Sequence, residues 1–443
     1  MRLVPAETAA GFRSILTVAA ALIGLIPLLP AGAQEDRAGL VNYETAAGEA
    51  VSWHPSIVEA AARLSQQEQQ IDVAQASYYP QVTGGVGVGY DSASTARWNP
   101  RANLGVNQRI WDFGKTASEV AAERAGMRAR KADVLLAVDA IVRDTSYAII
   151  EIRRSRELLE VAQEQFDSVS AIGLLVETRY RQGAATRSDA LQALSRVDAA
   201  ESTILQIEAE LRRWQSNLAF LLGRETPPEV NEEGEESFEG ACQNRDIDWM
   251  QVPAMLRAEA EREQALAELR RARAERYPTI SLGAGASTDI HDPFDDRRTD
   301  YNVGLNVSTS LFDGGARAAG ARSADYALNA AEAALDAARL ESTRLLAEAR
   351  EQVTIFRERL DTLDMRQAKM EETRKLYRLQ YLELGTRTLV DLLNAEQEVS
   401  QIRFDAVNSR YDLVRLGVDC LYTTGDLRFA LGLEGTTIEG VVL

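Results

Sequence analysis

Histidine and cysteine are almost missing from this 443-residue chain, with two of each. His54 and His291 stand in no metal-ligand or triad pattern, and Cys242 and Cys420 lack CxxC spacing. Paired carboxylates occur all along the charged segments and single out no centre, so neither catalysis nor a cofactor is expected. Basic residues are in deficit, 49 against 67 acidic, for a formal net charge of −18. A chain of that sign does not neutralise phosphates, which excludes nucleic acid as a partner. Aromatics make up only 6%. Abundant alanine with regularly spaced charge suits long, closely packed helices better than a thick globular core. Beyond residue 33 no run approaches the ~20 apolar residues of a spanning helix, so entry into a membrane requires β-strands in a barrel.

The N-terminal residues read differently. Arg2 and Arg13 flank a segment that carries Glu7, an apolar stretch runs from Ile15 to Leu29, and Ala31-Gly32-Ala33 fits a small-residue cleavage site. Residues 1–33 are expected to be a secretory signal peptide; Pro27 and Pro30 speak against a buried helix. No cysteine follows the apolar run, so lipid attachment is not expected there. Export makes a bridge between Cys242 and Cys420 chemically possible, with two free thiols as the other reading.

The remainder is written twice. Pro55-Ser56-Ile57 through Tyr79-Pro80 returns as Pro253-Ala254-Met255 through Tyr277-Pro278, at an offset of 198. Ile110-Trp111-Asp112-Phe113-Gly114 returns as Leu311-Phe312-Asp313-Gly314-Gly315 at 201, and Gly183 with Asp189 returns as Gly385 with Asp391 at 202. Each half follows one plan: helix, strand pair, very long helix, turn, helix. Residues 34–226 are assigned to the first repeat, 227–252 to an acidic connector and 253–443 to the second repeat. Pro227-Pro228 and the run Glu232-Glu233-Gly234-Glu235-Glu236 mark the connector. The plan brings Cys242, in the connector, and Cys420, near the end of the second repeat, toward one level.

Four segments alternate with period two. Val82, Val86, Val88 and Tyr90 oppose Thr83, Gly85, Gly87 and Gly89, and Leu104, Val106 and Ile110 oppose Asn103, Gly105, Asn107 and Arg109. Ile280, Leu282, Ala284 and Ala286 oppose Thr279, Ser281, Gly283 and Gly285. Tyr301, Val303, Leu305, Val307 and Leu311 oppose Asn302, Gly304, Asn306, Ser308 and Ser310. One face is apolar and the other small or polar, over the roughly 9–11 residues that cross a bilayer. The glycines of residues 85–89 lack the GxGxxG spacing of a phosphate loop. An open sheet edge in hydrocarbon leaves backbone groups unpaired, each costing several kcal/mol. Four strands do not close a barrel, and eight give a bore about filled by side chains. Three chains supplying twelve strands form the smallest assembly that both closes and conducts.

No proline lies between Pro100 and Pro227 or after Pro293. Lys115 to Gln182 reads as one helix, which at about 1.5 Å per residue is roughly 100 Å long. An apolar seam steps by alternating four and three from Val134 to Val169, and a matching one runs from Leu346 to Leu384. Such heptads mean coiled helices. Gly114 and the pair Gly314-Gly315 mark tight strand-to-helix joints, with Asp112 and Asp313 placed for the helix starts.

One segment is the most specific: Leu384-Gly385-Thr386-Arg387-Thr388-Leu389-Val390-Asp391-Leu392-Leu393-Asn394-Ala395. With the paired Tyr-Pro sites and the Asp313-Gly314-Gly315 joint, it resembles the TolC-like family of outer-membrane efflux proteins, over about Gly48 to Leu431. The resemblance implies a membrane α+β fold: a trimeric 12-stranded barrel, four strands per chain, continued by a long α-helical coiled-coil barrel. It implies export from the outer membrane of a Gram-negative bacterium, in the type I secretion branch or in drug efflux. The implied partners are two further copies, a periplasmic adaptor, an inner-membrane ABC or proton-driven transporter, and outer-membrane lipid. Gly183 and Gly385 fall at the adaptor-docking tip. Asp189, Ser188, Arg387 and Tyr381 fall at the periplasmic gate, and Asp391 and Asn394 at the entrance ring. Leu382 replaces a gating tyrosine, with Tyr381 adjacent, and Asn394 replaces a second entrance aspartate. The alternative is a non-conducting trimeric coiled-coil adhesin or scaffold with a barrel anchor.

Overall fold

The computed structural model describes residues 39–91, 97–231, 235–238, 240–243, 247–289, 299–438 and 440–442. The chain divides into Met1–Gly39 and Leu40–Leu443, and the described helices and strands all belong to the second unit. The expected signal peptide and His291 lie outside the described residues.

Helix α1 spans Tyr43–Trp53 and α2 spans Pro55–Ala76. Asn42 and Thr45 cap α1 reciprocally, and the His54 ring nitrogen accepts from the backbone of Ser56 ahead of Pro55 at the start of α2. One of the two histidines is thereby a helix cap. Strands β1 (Gln81–Asp91) and β2 (Arg97–Trp111) lead into α3 (Lys115–Arg181) and α4 (Arg187–Leu222). After the connector come α5 (Pro253–Ala274), β3 (Thr279–Asp289), β4 (Thr299–Ser308), α6 (Ala316–Leu379) and α7 (Leu389–Thr424). The chain ends in α8 (Leu427–Ala430) and a short hairpin, β5 (Thr437–Ile438) and β6 (Val441–Val442).

The four long strands form one antiparallel sheet in the order β1-β2-β3-β4. Val82, Val106, Ala284 and Val303 line up across it, as do Gly84, Leu104, Ala286 and Tyr301, giving the apolar face. On the opposite face Gly85 lies beneath Asn103 and Gly285 beneath Asn302; a Cβ at either glycine would stand 2.9 or 2.6 Å from the amide oxygen above. β1 and β4 each have one strand neighbour among the described residues. β4 stops at Ser308, short of the alternation expected to reach Leu311, because its partner β3 begins opposite at Thr279. Leu311 and Phe312 are consequently 95% and 91% exposed.

Helix α3 packs against α2, α4, α5 and α7, whereas α6 packs chiefly against α5 and α7. The seams differ accordingly. Val134, Val138, Ile141, Ala148, Ile152 and Ala162 are buried on α3, but on α6 only Leu346, Ala349, Val353 and Leu363 of the expected series are. The main core gathers Tyr43, Ile149, Ile150, Leu218 and Leu427 where α1, α8 and the ends of α4 and α7 meet the middle of α3. Cys242 and Cys420 form a disulfide that closes 178 residues and ties the connector to α7. The connector is further held by Phe238 against Tyr43 and by Arg350 of α6 donating to the Cys242 carbonyl at 2.9 Å.

Candidate functional site

Two strand-to-helix joints have one construction. The Asp112 carboxylate accepts from the backbone N–H of Gly114 at 3.0 Å and of Thr116 at 2.8 Å. The Asp313 carboxylate accepts from Gly315 at 2.9 Å and Arg317 at 3.3 Å. Gly114 and Gly315 both have φ +90°, and the residues before them, Phe113 and Gly314, have φ +56° and +64°. Only glycine takes such angles without cost, so Phe113 is held in place by neighbours: its ring stacks on Tyr277 at 5.2 Å.

At the far end both hairpins turn alike. Gly183 and Gly385 have φ +77° and +62°. Thr186 and Thr388 cap the following helices: each hydroxyl accepts from the backbone of the residue three on, and that residue's carboxylate, Asp189 or Asp391, accepts from the threonine N–H. The Thr388 hydroxyl, then its backbone N–H and the charge of Arg387, hold the Asp391 carboxyl below its ordinary value, so it stays ionised in the single chain. Ser188 bonds the Thr186 hydroxyl at 2.9 Å. Arg387 lies over the Tyr377 ring at 4.4 Å, donates to Gln380 at 3.2 Å and approaches Asp391 at 3.9 Å. Within one chain Asp189 and Arg387 are thus each engaged in their own hairpin. Tyr381 carries the Arg179 guanidinium over its ring at 5.0 Å, linking the turn that follows α6 to the end of α3. Asn394 accepts from Arg196 of α4 at 3.5 Å.

Gln380–Leu384 is a π-helical turn, which sequence reasoning missed. Its signal was present: the offset between halves rises from 201 to 202 across this stretch, and a π-turn accommodates one extra residue without ending the helix. Also missed was a polar seam between α3 and α7. Tyr147 bonds Asp419, Arg154 bonds Asp412, Glu157 pairs with Arg410, Glu164 with Arg403, and Ser168 bonds Glu396 at 2.9 Å. Antiparallel helices bring these residues opposite one another, but nothing local in the sequence says which helix faces which.

Two long helical hairpins, a four-stranded sheet with open edges and two matched joints make a frame rather than a pocket. Residues 46–224 and 250–416 match the family of outer membrane efflux proteins. The chain belongs to that family. Protein CyaE of Bordetella pertussis is 26% identical over 310 residues, 67% of this chain and 65% of that protein's length, so the match leaves about a third of the relative uncovered. The outer membrane efflux protein BepC of Brucella suis is 23% identical over 397 residues, 83% of this chain and 82% of the relative. The outer membrane protein VceC of Vibrio cholerae superposes with a TM-score of 0.75 at 20% identity, over 86% of this chain and 96% of that one; this likeness is one of fold. For an outer membrane efflux protein the exposed apolar sheet face has a natural environment, lipid. The family description is of efflux, not of catalysis or adhesion.

Proposed function

We propose that three copies join β4 of one to β1 of the next, closing a 12-stranded outer-membrane barrel that continues into a helical export tunnel. One observation carries this: a sheet with an apolar face ends in two edges that have no strand partner among the described residues. In lipid those edges require partners, and because β1 and β4 run antiparallel, each added copy extends the same alternation. Exposed apolar side chains on α4 and α6, among them Leu191, Leu205, Leu340 and Ile355, offer matching helix faces to the neighbours. Residues 34–226 and 253–443 form the two structural repeats of each copy, and residues 1–33 the signal peptide.

Cargo, protein or small molecule, passes without chemistry by this chain. A periplasmic adaptor with an inner-membrane transporter, ABC or proton-driven, docks at the tip around Gly183 and Gly385. Docking frees the gate residues Asp189, Ser188, Arg387 and Tyr381, and the α6–α7 hairpin turns away from α3. The tip segment from Leu384 to Ala395 favours type I secretion. Oxidised cysteine pairs test the closure: Val86→Cys combined with Tyr301→Cys, Val303→Cys or Leu305→Cys. Covalent trimers from at least one pair are expected, and their absence from all three overturns it. Single-channel recording tests the tunnel: current should flow and rise in Arg387→Ser, whereas trimers that never conduct refute it.

A further inference from the structure

Along α7 the residues that meet α3 are Leu389 and Leu392, clustered with Val169 and Ile172, and then Glu396, Arg403 and Arg410, each bonded or paired to an α3 side chain. Apolar and charged residues thus share a seam that apolar residues alone could fill. Two of its ion pairs are open to water. The side chains of Glu164 and Arg403 are 62% and 28% exposed, and those of Glu157 and Arg410 30% and 54%; such pairs hold little. Glu396 differs, with its side chain 4% exposed. One carboxylate oxygen accepts from the Ser168 hydroxyl of α3 at 2.9 Å and faces Arg374 of α6 at 3.4 Å. It lies between two apolar clusters. Val169, Ile172, Leu389 and Leu392 pack on the tip side, and Leu363, Ile402 and Ala406 on the other. A buried carboxylate is an inefficient way to stabilise such a seam, since a well-packed apolar side chain of similar volume serves as well or better. It does bind three helices to one arrangement, because moving any of them strips a buried charge of its partners.

We propose that Glu396 is a second latch on the tunnel entrance, one that must be released before the α6–α7 hairpin can turn from α3. The latch presupposes that the chain is a gated export channel. The tip contacts of Arg387 lie at the turn, while Glu396 lies between α3, α6 and α7 further along. Freeing the tip alone leaves this tie in place, so opening proceeds in two stages.

The test compares single-channel conductance of full-length trimers in planar bilayers. Arg387→Ser should open the channel in part. Adding Glu396→Gln, or separately Ser168→Ala, should raise conductance at least about twofold further. Ser168→Cys/Glu396→Cys in the Arg387→Ser background, once oxidised, should return conductance to the wild-type level. A combined variant that conducts no better than Arg387→Ser, with only its melting temperature lowered, reduces Glu396 to a structural residue and overturns the latch. So does an oxidised cross-link that leaves the Arg387→Ser conductance unchanged. Conductance absent from every variant sinks the channel reading and the latch together.

Discussion

Asp139 and Arg428 form an ion pair whose side chains are 1% and 10% exposed, joining α3 to α8. The second carboxylate oxygen of Asp139 has no hydrogen-bond partner among the described residues. Burial outweighs the adjacent guanidinium and pushes the Asp139 carboxyl up to about 6 from an ordinary 3.8. The folded chain therefore takes up this proton before the unfolded chain does, and the site's contribution to stability falls as pH rises between those two values. The effect is at most about 3 kcal/mol. In urea unfolding of the detergent-solubilised protein, wild type should gain stability relative to Asp139→Asn/Arg428→Gln on going from pH 7 to pH 4.5. A pH-independent difference between the two proteins refutes the assignment. The helix caps are simpler. Thr186→Ala or Thr388→Ala removes the hydroxyl that starts α4 or α7 and should cost about 1 kcal/mol, seen as faster amide exchange in the first turn of that helix alone. The Thr-x-x-Asp spacing carries these caps, but sequence reasoning assigned Asp189 and Asp391 to the gate and entrance instead and missed them. The partners of Arg179, Arg374 and Arg428 were not legible, because a long arginine takes whatever tertiary packing places within reach.

At the scale of elements, periodicity carried most of the fold. The four strands and their two faces follow from alternation, and α3 from the absence of proline and a continuous seam. The end of β4 did not follow, since it depends on where β3 starts, and neither did the connector's fold. That segment, without regular periodicity, is fixed by the Cys242–Cys420 bond and by Phe238. Closing 178 residues restricts the unfolded chain, so Cys242→Ser/Cys420→Ser should lose about 2–5 kcal/mol in denaturant unfolding. An unchanged midpoint under non-reducing conditions refutes that. The π-turn of Gln380–Leu384 gives a second prediction. Deleting Leu382 should let α6 run on as ordinary α-helix and return the offset beyond the turn from 202 to the 201 of the helix before it. The cap at Thr388 would then rotate by about 100° relative to α6, so trimers should still form but conduct differently from wild type. Wild-type conductance in that deletion means the π-turn has no part in setting the entrance.

Assembly is where sequence and single chain are both incomplete, and each is incomplete in the same place. Among the described residues the seam of α6 is half exposed, both sheet edges lack a strand partner, and Leu311 and Phe312 stand exposed beyond the end of β4. In the proposed trimer, copies covering these surfaces would form a ring, and what lines that ring would decide what passes. The net charge of −18 cannot reside on the apolar face of the sheet, so it distributes over the helices and loops. In the single chain the cap at Thr388 holds the Asp391 carboxyl below its ordinary value, and the proposed trimer would bring one from each copy to the tip. In the proposed trimer three such carboxylates would meet at the entrance, with Asn394 in place of further charge, and would attract cations and repel anions over about the 10 Å reach of electrostatics in 0.1 M salt. In a salt gradient the reversal potential should therefore move toward the cation's equilibrium potential. Asp391→Asn should shrink that shift most at low ionic strength, where screening is weakest, and high salt should abolish the difference between variant and wild type. A reversal potential on the anion side, or one unmoved by Asp391→Asn at any salt concentration, removes Asp391 from the conducting path.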